Sequence, residues 1–133
     1  MLGILEGKTW GKTQCLFARN NVEVHRIKVV KNGFCSEHTH KSKYNHFYVE
    51  SGRLVVKVFR DSGVVDATIL GPGMSTIVKP GEKHQFIAKE TTVAYEIYYV
   101  VLEDNDITRY TQGGVKNAIG TPDLSRQGDG TKP

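Results

Sequence analysis

Long apolar runs and helical periodicity are both missing from this 133-residue chain. No stretch reaches the roughly 18 apolar residues of a membrane span, and no window keeps the ~3.6-residue apolar period of an amphipathic helix. No membrane partner is therefore expected. Cysteine is scarce, with two residues, Cys15 and Cys35, and the chain has a single tryptophan and four prolines. A lone cysteine pair does not make a disulfide framework, so both are expected as reduced, half-buried thiols. The start Met1-Leu2-Gly3-Ile4-Leu5-Glu6 lacks the basic head and long apolar stretch of a signal peptide, which predicts a soluble, cytoplasmic protein. No block of one charge sign occurs either. Lys and Arg exceed Asp and Glu by 18 to 14, but they are scattered and not interleaved with aromatics. That pattern argues against a nucleic acid partner and leaves a mild preference for a small polar or anionic ligand.

What is present is a succession of short β-type runs punctuated by Gly, Pro, Asn and Asp. Strands are predicted at Gln14 to Ala18, Val22 to Val30, His38 to His40, His46 to Glu50 and Arg53 to Arg60. Further strands are predicted at Val64 to Leu70, Ser75 to Val78, His84 to Ala88 and Thr92 to Leu102. Asn20-Asn21, Ser51-Gly52, Asp61-Ser62-Gly63 and Gly71-Pro72-Gly73 read as the turns between them, because Gly and Asn tolerate the positive φ of tight hairpins. Many short strands at this spacing predict one all-β sandwich or barrel. The expected organisation is an N-terminal arm over 1–12 anchored by Trp10, a barrel over 13–110 and a polar tail over 111–133. The tail holds almost no large apolar residue with which to order itself.

Three histidines carry the chemistry. His38 and His40 are two apart, so in an extended segment they share a face, and His84 follows in the run Lys79-Pro80-Gly81-Glu82-Lys83-His84. A small barrel would gather all three imidazoles around one divalent transition metal: zinc, iron, nickel, manganese, cobalt or copper.

The spacing around these histidines resembles the two motifs of the cupin family. Gly33 precedes His38, His40, Asn45 and Gly52 in the order of the first motif. Gly73, Lys79, Pro80, Gly81 and His84 follow the order of the second. The resemblance implies a double-stranded β-helix, or jelly-roll, barrel with His38, His40, Asn45 and His84 as metal ligands. Asn45 stands where the family places an acid, and it offers a neutral carbonyl oxygen in place of a carboxylate. Lys79 stands where the family often has proline.

A longer likeness involves Trp10-Gly11-Lys12, the run from Ser36 to Gly52, and the segment from Leu102 to Tyr110. These look like the cupin domain of type II mannose-6-phosphate isomerases. Aligned on Ser36, that family's Gln falls on His38 and its Glu on Asn45, while Lys41, Ser42 and Lys43 replace its H-H-R run. The likeness implies a sugar or sugar-phosphate ligand, with Arg109 at the place of an arginine able to clamp a phosphate or carboxylate.

Strand alternation fills in the rest of the pocket. From Asn45 it turns Phe47 and Val49 inward and His46, Tyr48 and Glu50 outward, and from His84 it turns Phe86 inward. His25 shares a face with Ile27 and Val29. Either Tyr95 and Tyr99 or their neighbours face the cavity, and inward tyrosines would offer hydroxyls to a ligand. Glu50, Glu96, His25 and Tyr95 are the candidate bases. The functions open at this level are a metal-dependent isomerase, a dioxygenase, a non-catalytic metabolite-binding module and a structural barrel. Outward aromatic residues on the strands predict a homodimer.

Overall fold

The computed structural model describes Gly3 and residues 5–100, 109–113 and 115. Nine strands form in chain order: β1 (Leu5–Lys8), β2 (Gly11–Arg19), β3 (Val22–Val29), β4 (Tyr44–Ser51), β5 (Leu54–Phe59), β6 (Val65–Leu70), β7 (Ser75–Val78), β8 (Lys83–Ala88) and β9 (Thr92–Tyr99). No helix occurs among the described residues, and so none is long and apolar enough to cross a membrane.

The strands make two antiparallel sheets, of order β1-β2-β3-β9-β4-β7 and β6-β5-β8. Neighbours β3, β9 and β4 are distant in sequence, which is the crossing pattern of a jelly roll. The alternation predicted for β4 is present: Asn45, Phe47 and Val49 are buried while Tyr48 and Glu50 are exposed. Ile27, Val29, Phe47, Val49, Leu54, Val56, Leu70, Val78, Phe86, Ala88 and Ala94 form the core. Burying side chains of this size stabilises a fold by about 1.5–3 kcal/mol each against exposure, before chain entropy is counted.

Two expectations are revised. His38 to His40 is not a strand: β3 and β4 are joined by residues 30–43, which run beside β8 through isolated bridges Phe34↔Ile87 and His38↔His84. The connection still behaves as a partial strand, with Cys35 N–H donating to Phe86 O at 3.2 Å and Ala88 N–H to Gly33 O at 2.9 Å. The segment read as an arm contains β1, whose Leu5 to Lys8 pair with Gln14 to Gly11 as the edge of the larger sheet. All four β1 residues are exposed, so no buried alternation marks the strand in sequence.

By contact the chain divides into Met1–Val101 and Leu102–Pro133. In the second unit the described residues 109–113 and 115 are all exposed and include Arg109. Most of the tail over 111–133, and the segment 102–108 that carries part of the isomerase likeness, lie outside the described residues.

Candidate metal centre

The turn before His84 is built by its sequence. Pro80 presets the first corner position and Gly81, at φ +84°, takes the second, while Glu82 N–H donates to Lys79 O at 3.1 Å to close the turn. Gly81 N–H donates in turn to His40 O at 2.8 Å, so the two histidine-bearing segments are joined by main chain. Gly52 plays the same conformational part between β4 and β5 at φ +93°.

These constraints bring three imidazoles together. Candidate ligand nitrogens of His38, His40 and His84 all lie within 4.8 Å of one another. The ring centroids are 4.4 Å apart for His38 and His84, 5.0 Å for His38 and His40, and 5.2 Å for His40 and His84.

Their tautomers follow from their hydrogen bonds. A carbonyl only accepts, so His38 Nδ1–H donates to Ser36 O at 2.8 Å and His84 Nδ1–H donates to Glu82 O at 2.9 Å. Each ring then carries a lone pair on Nε2. This is the orientation in which a backbone acceptor holds a metal-binding imidazole. Burial, reinforced by His38 and His84, lowers the His40 pKa to about 4. His84 is also lowered, chiefly by burial and partly offset by its bond to Glu82. Both rings are therefore neutral and ready to donate electron pairs at neutral pH.

Asn45, the remaining expected ligand, lies on β4. It is fully buried, and its Nδ2 donates to Glu96 Oε2 at 3.1 Å. A carboxylate accepts, so this bond fixes the amide with Oδ1 on the other side. Asn45 Oδ1, His40 Nε2 and His84 Nε2 are the three buried side-chain polar atoms without a hydrogen-bond partner among the described residues. An orphaned buried polar atom costs about 1–3 kcal/mol. Two of these atoms, His40 Nε2 and His84 Nε2, belong to the histidine cluster, and such electron-pair donors suit a divalent ion.

Beside the histidines opens a cavity of about 470 Å³, whose walls include Trp10, Cys35, His25, His38, Phe86, Glu96 and Tyr98. Trp10 packs edge-on against Phe86 with centroids 5.1 Å apart. Phe47 is one step removed: it is buried against Phe86 and His84, with centroids at 6.1 and 6.3 Å, and supports the site from the core. His25 does line the cavity, with Nε2 2.9 Å from Glu23 Oε1 and its ring edge-on to Tyr98.

The pocket positions proposed for Tyr95 and Tyr99 are corrected by the phase of β9. Its inward residues are Ala94, Glu96 and Tyr98. Tyr95 instead packs near Tyr48 and donates its hydroxyl to the exposed Glu50 at 2.7 Å, while Tyr99 stacks on Tyr44 at 5.3 Å. Tyr95 and Glu50 thus lose their candidacy as bases at this site. Tyr98 belongs to the alternative set that strand alternation left open, and it lines the cavity. Its hydroxyl donates to Glu96 Oε2 at 2.6 Å, Lys43 Nζ lies 4.3 Å from its ring centre, and its ring meets His40 at 5.1 Å. Burial and then the Glu96 charge push its pKa far up, so the phenol keeps its proton. Arg109 belongs to the second unit and is exposed there.

Comparison with known proteins places these features in context. Residues 25–101 match the sequence family described as the Cupin domain. The structure of KdgF from Halomonas sp. is similar at TM-score 0.65 and 14% identity, covering 76% of this chain and 89% of that one. An RmlC-like cupin from Shewanella frigidimarina is similar at TM-score 0.63 and 23% identity, covering 77% and 87%. Bacillus subtilis oxalate decarboxylase, described with Mn(II) centres, is similar at TM-score 0.65 and 16% identity. That match covers 82% of this chain but 30% of the larger protein. A search of the curated proteins finds no match.

Proposed function

This chain belongs to the cupin family, and from that premise we propose that it holds one divalent transition-metal ion and presents it to a small, polar, sugar- or sugar-phosphate-like ligand. His38, His40 and His84 would hold the ion, with Asn45 Oδ1 as the fourth donor. The observation that carries this reading is the set of three orphaned atoms, His40 Nε2, His84 Nε2 and Asn45 Oδ1, beside a cavity large enough for a metabolite. The Mn(II) centres of the similar decarboxylase support a metal in such a barrel. An ion bound here would act as a Lewis acid on a ligand oxygen.

The chain's own groups supply the rest. Trp10 and Phe86 give the cavity an apolar wall against which the carbon skeleton of a ligand can rest. His25, held by Glu23, and Glu96 are cavity residues able to accept a proton, and they are the groups to test as bases in an isomerisation of the mannose-6-phosphate isomerase kind. Tyr98 holds its proton and can only donate to a bound oxygen once its bond to Glu96 is exchanged.

A second reading, binding without turnover, is favoured by Asn45 itself, since a neutral amide replaces the acid of the enzymes it resembles. One experiment separates the cases. Elemental analysis of protein purified without added metal should return about one transition-metal ion per chain, and calorimetry with a panel of sugar phosphates should then show heat of binding that disappears after chelation. Product formation with any member of the panel marks the enzyme, and binding alone marks the module. Metal-free protein that takes up no divalent ion would overturn both.

A further inference from the structure

Glu96 is a buried acid that does no ionic pairing with any described Lys or Arg, and it touches Asn45 rather than the imidazoles. Its Oε2 takes two hydrogen bonds, from Asn45 Nδ2 at 3.1 Å and from Tyr98 OH at 2.6 Å. It projects from β9, where its backbone position lies opposite Phe47 of β4 and His25 of β3, so it reaches Asn45 diagonally across one strand pair. The three histidines and Asn45 are all neutral donors. A dication held by them alone would bring a net double positive charge into a site whose walls include the apolar Trp10, Phe86 and Cys35.

We propose that Glu96 is the positioning residue of the metal centre: it supplies, one hydrogen bond behind Asn45, the negative charge that Asn45 lacks, and it aims the amide oxygen at the ion. The proposal rests on the metal reading above. The physical argument has two parts. A charge kept in a site of low polarisability attracts a cation over several ångströms, so it need not be a ligand to contribute. The hydrogen bond also decides which end of the amide faces the histidines, because with Asn45 Nδ2 turned away only the oxygen can coordinate. In effect the anion has moved from β4 to β9 while the amide has taken its place.

That transposition defines the test. Zn(II) is titrated into metal-free wild type, Glu96→Gln, Glu96→Asp and the double variant Asn45→Glu/Glu96→Gln, in competition with a chromophoric chelator. Co(II) absorption reports the donor set independently. Glu96→Gln is expected to weaken Zn(II) binding by about 10–100-fold, with Glu96→Asp recovering part of the loss because the charge is kept. The double variant, which exchanges the acid and the amide in place, is expected to bind within a few-fold of wild type or tighter, with a Co(II) spectrum altered by the direct carboxylate. Should Glu96→Gln fail to fold, the double variant carries the comparison, since it retains one acid and one amide. Wild-type affinity and an unchanged Co(II) spectrum in Glu96→Gln would overturn the role of Glu96 while leaving the metal site standing. Equal weakness of the double variant and Glu96→Gln would do the same. Absence of Zn(II) binding in wild type would remove the metal site and the proposal together.

Discussion

His38 and His84 exchange both of their backbone hydrogen bonds, His38 N–H to His84 O at 3.0 Å and His84 N–H to His38 O at 2.9 Å. Two side chains 46 positions apart in sequence are thus set side by side by main chain alone. Changing either side chain leaves that bridge intact. The double variant His38→Ala and His84→Ala should therefore lose metal while keeping its β circular-dichroism spectrum and a cooperative melt. Loss of the fold along with the metal would show that the imidazoles are structural.

Asn45→Glu alone gives a different expectation. Its new carboxylate meets Glu96, an acid already within 3.1 Å of Asn45 Nδ2, in a fully buried position. Two like charges there should cost the metal-free protein on the order of 3 kcal/mol, and added Zn(II) should raise its melting temperature by more than it raises that of wild type. Differential scanning calorimetry with and without the ion measures both. A metal-free melting temperature equal to that of wild type would place residue 45 in a more polar setting than the hydrogen bonds indicate.

Cys35 offers a pH dependence. Burial pushes its thiol pKa up to about 11, and Phe86 N–H contacts its Sγ at 3.2 Å. Only the thiolate attacks an alkylating reagent, so at pH 8 roughly one molecule in a thousand is reactive. Measured in a Cys15→Ser background, native alkylation by iodoacetamide should rise about tenfold for each pH unit from 8 toward 10. A rate that is already flat at pH 8 would contradict a buried, protonated thiol.

Two glycines should differ in cost. Gly81 sits at φ +84° with open space around it, so Gly81→Ala pays only the left-handed backbone penalty, about 1 kcal/mol. At Gly52 an added Cβ would fall 2.4 Å from Thr91 O as well as taking φ +93°. Gly52→Ala should destabilise by at least ~1 kcal/mol more, and urea denaturation of the two variants checks the order.

The homodimer proposed from sequence has a physical basis in exposed Leu16, Phe17, Val65, Ile69, Met74 and Ile77, and in the outer edge of β1. Light scattering should return twice the chain mass at micromolar concentration. The chain mass at every concentration would rule the dimer out.

Much of this was legible because motif spacing is a matter of main-chain geometry. Pro80-Gly81 dictates a turn whatever surrounds it, and His38 and His40 share a face in any extended segment, even one that β8 holds by isolated bridges. The phase of β9 was not legible. Aromatic and aliphatic residues occur on both of its faces, and the usual rule that charge points outward would hide Glu96 rather than reveal it. Only the Asn45 and Tyr98 hydrogen bonds explain why a carboxylate points inward. Likewise β1 has no buried face, so nothing in its four residues announces a strand.

Trp10, the chain's single tryptophan, lines the cavity together with His38 and rests edge-on against Phe86. Its indole is consequently a built-in optical probe: all tryptophan emission from this protein originates at the wall of the site. A paramagnetic ion entering the cluster, or a ligand displacing water from the cavity, would change that emission without any label, and the kinetics of filling and emptying the barrel could be followed in real time by stopped flow.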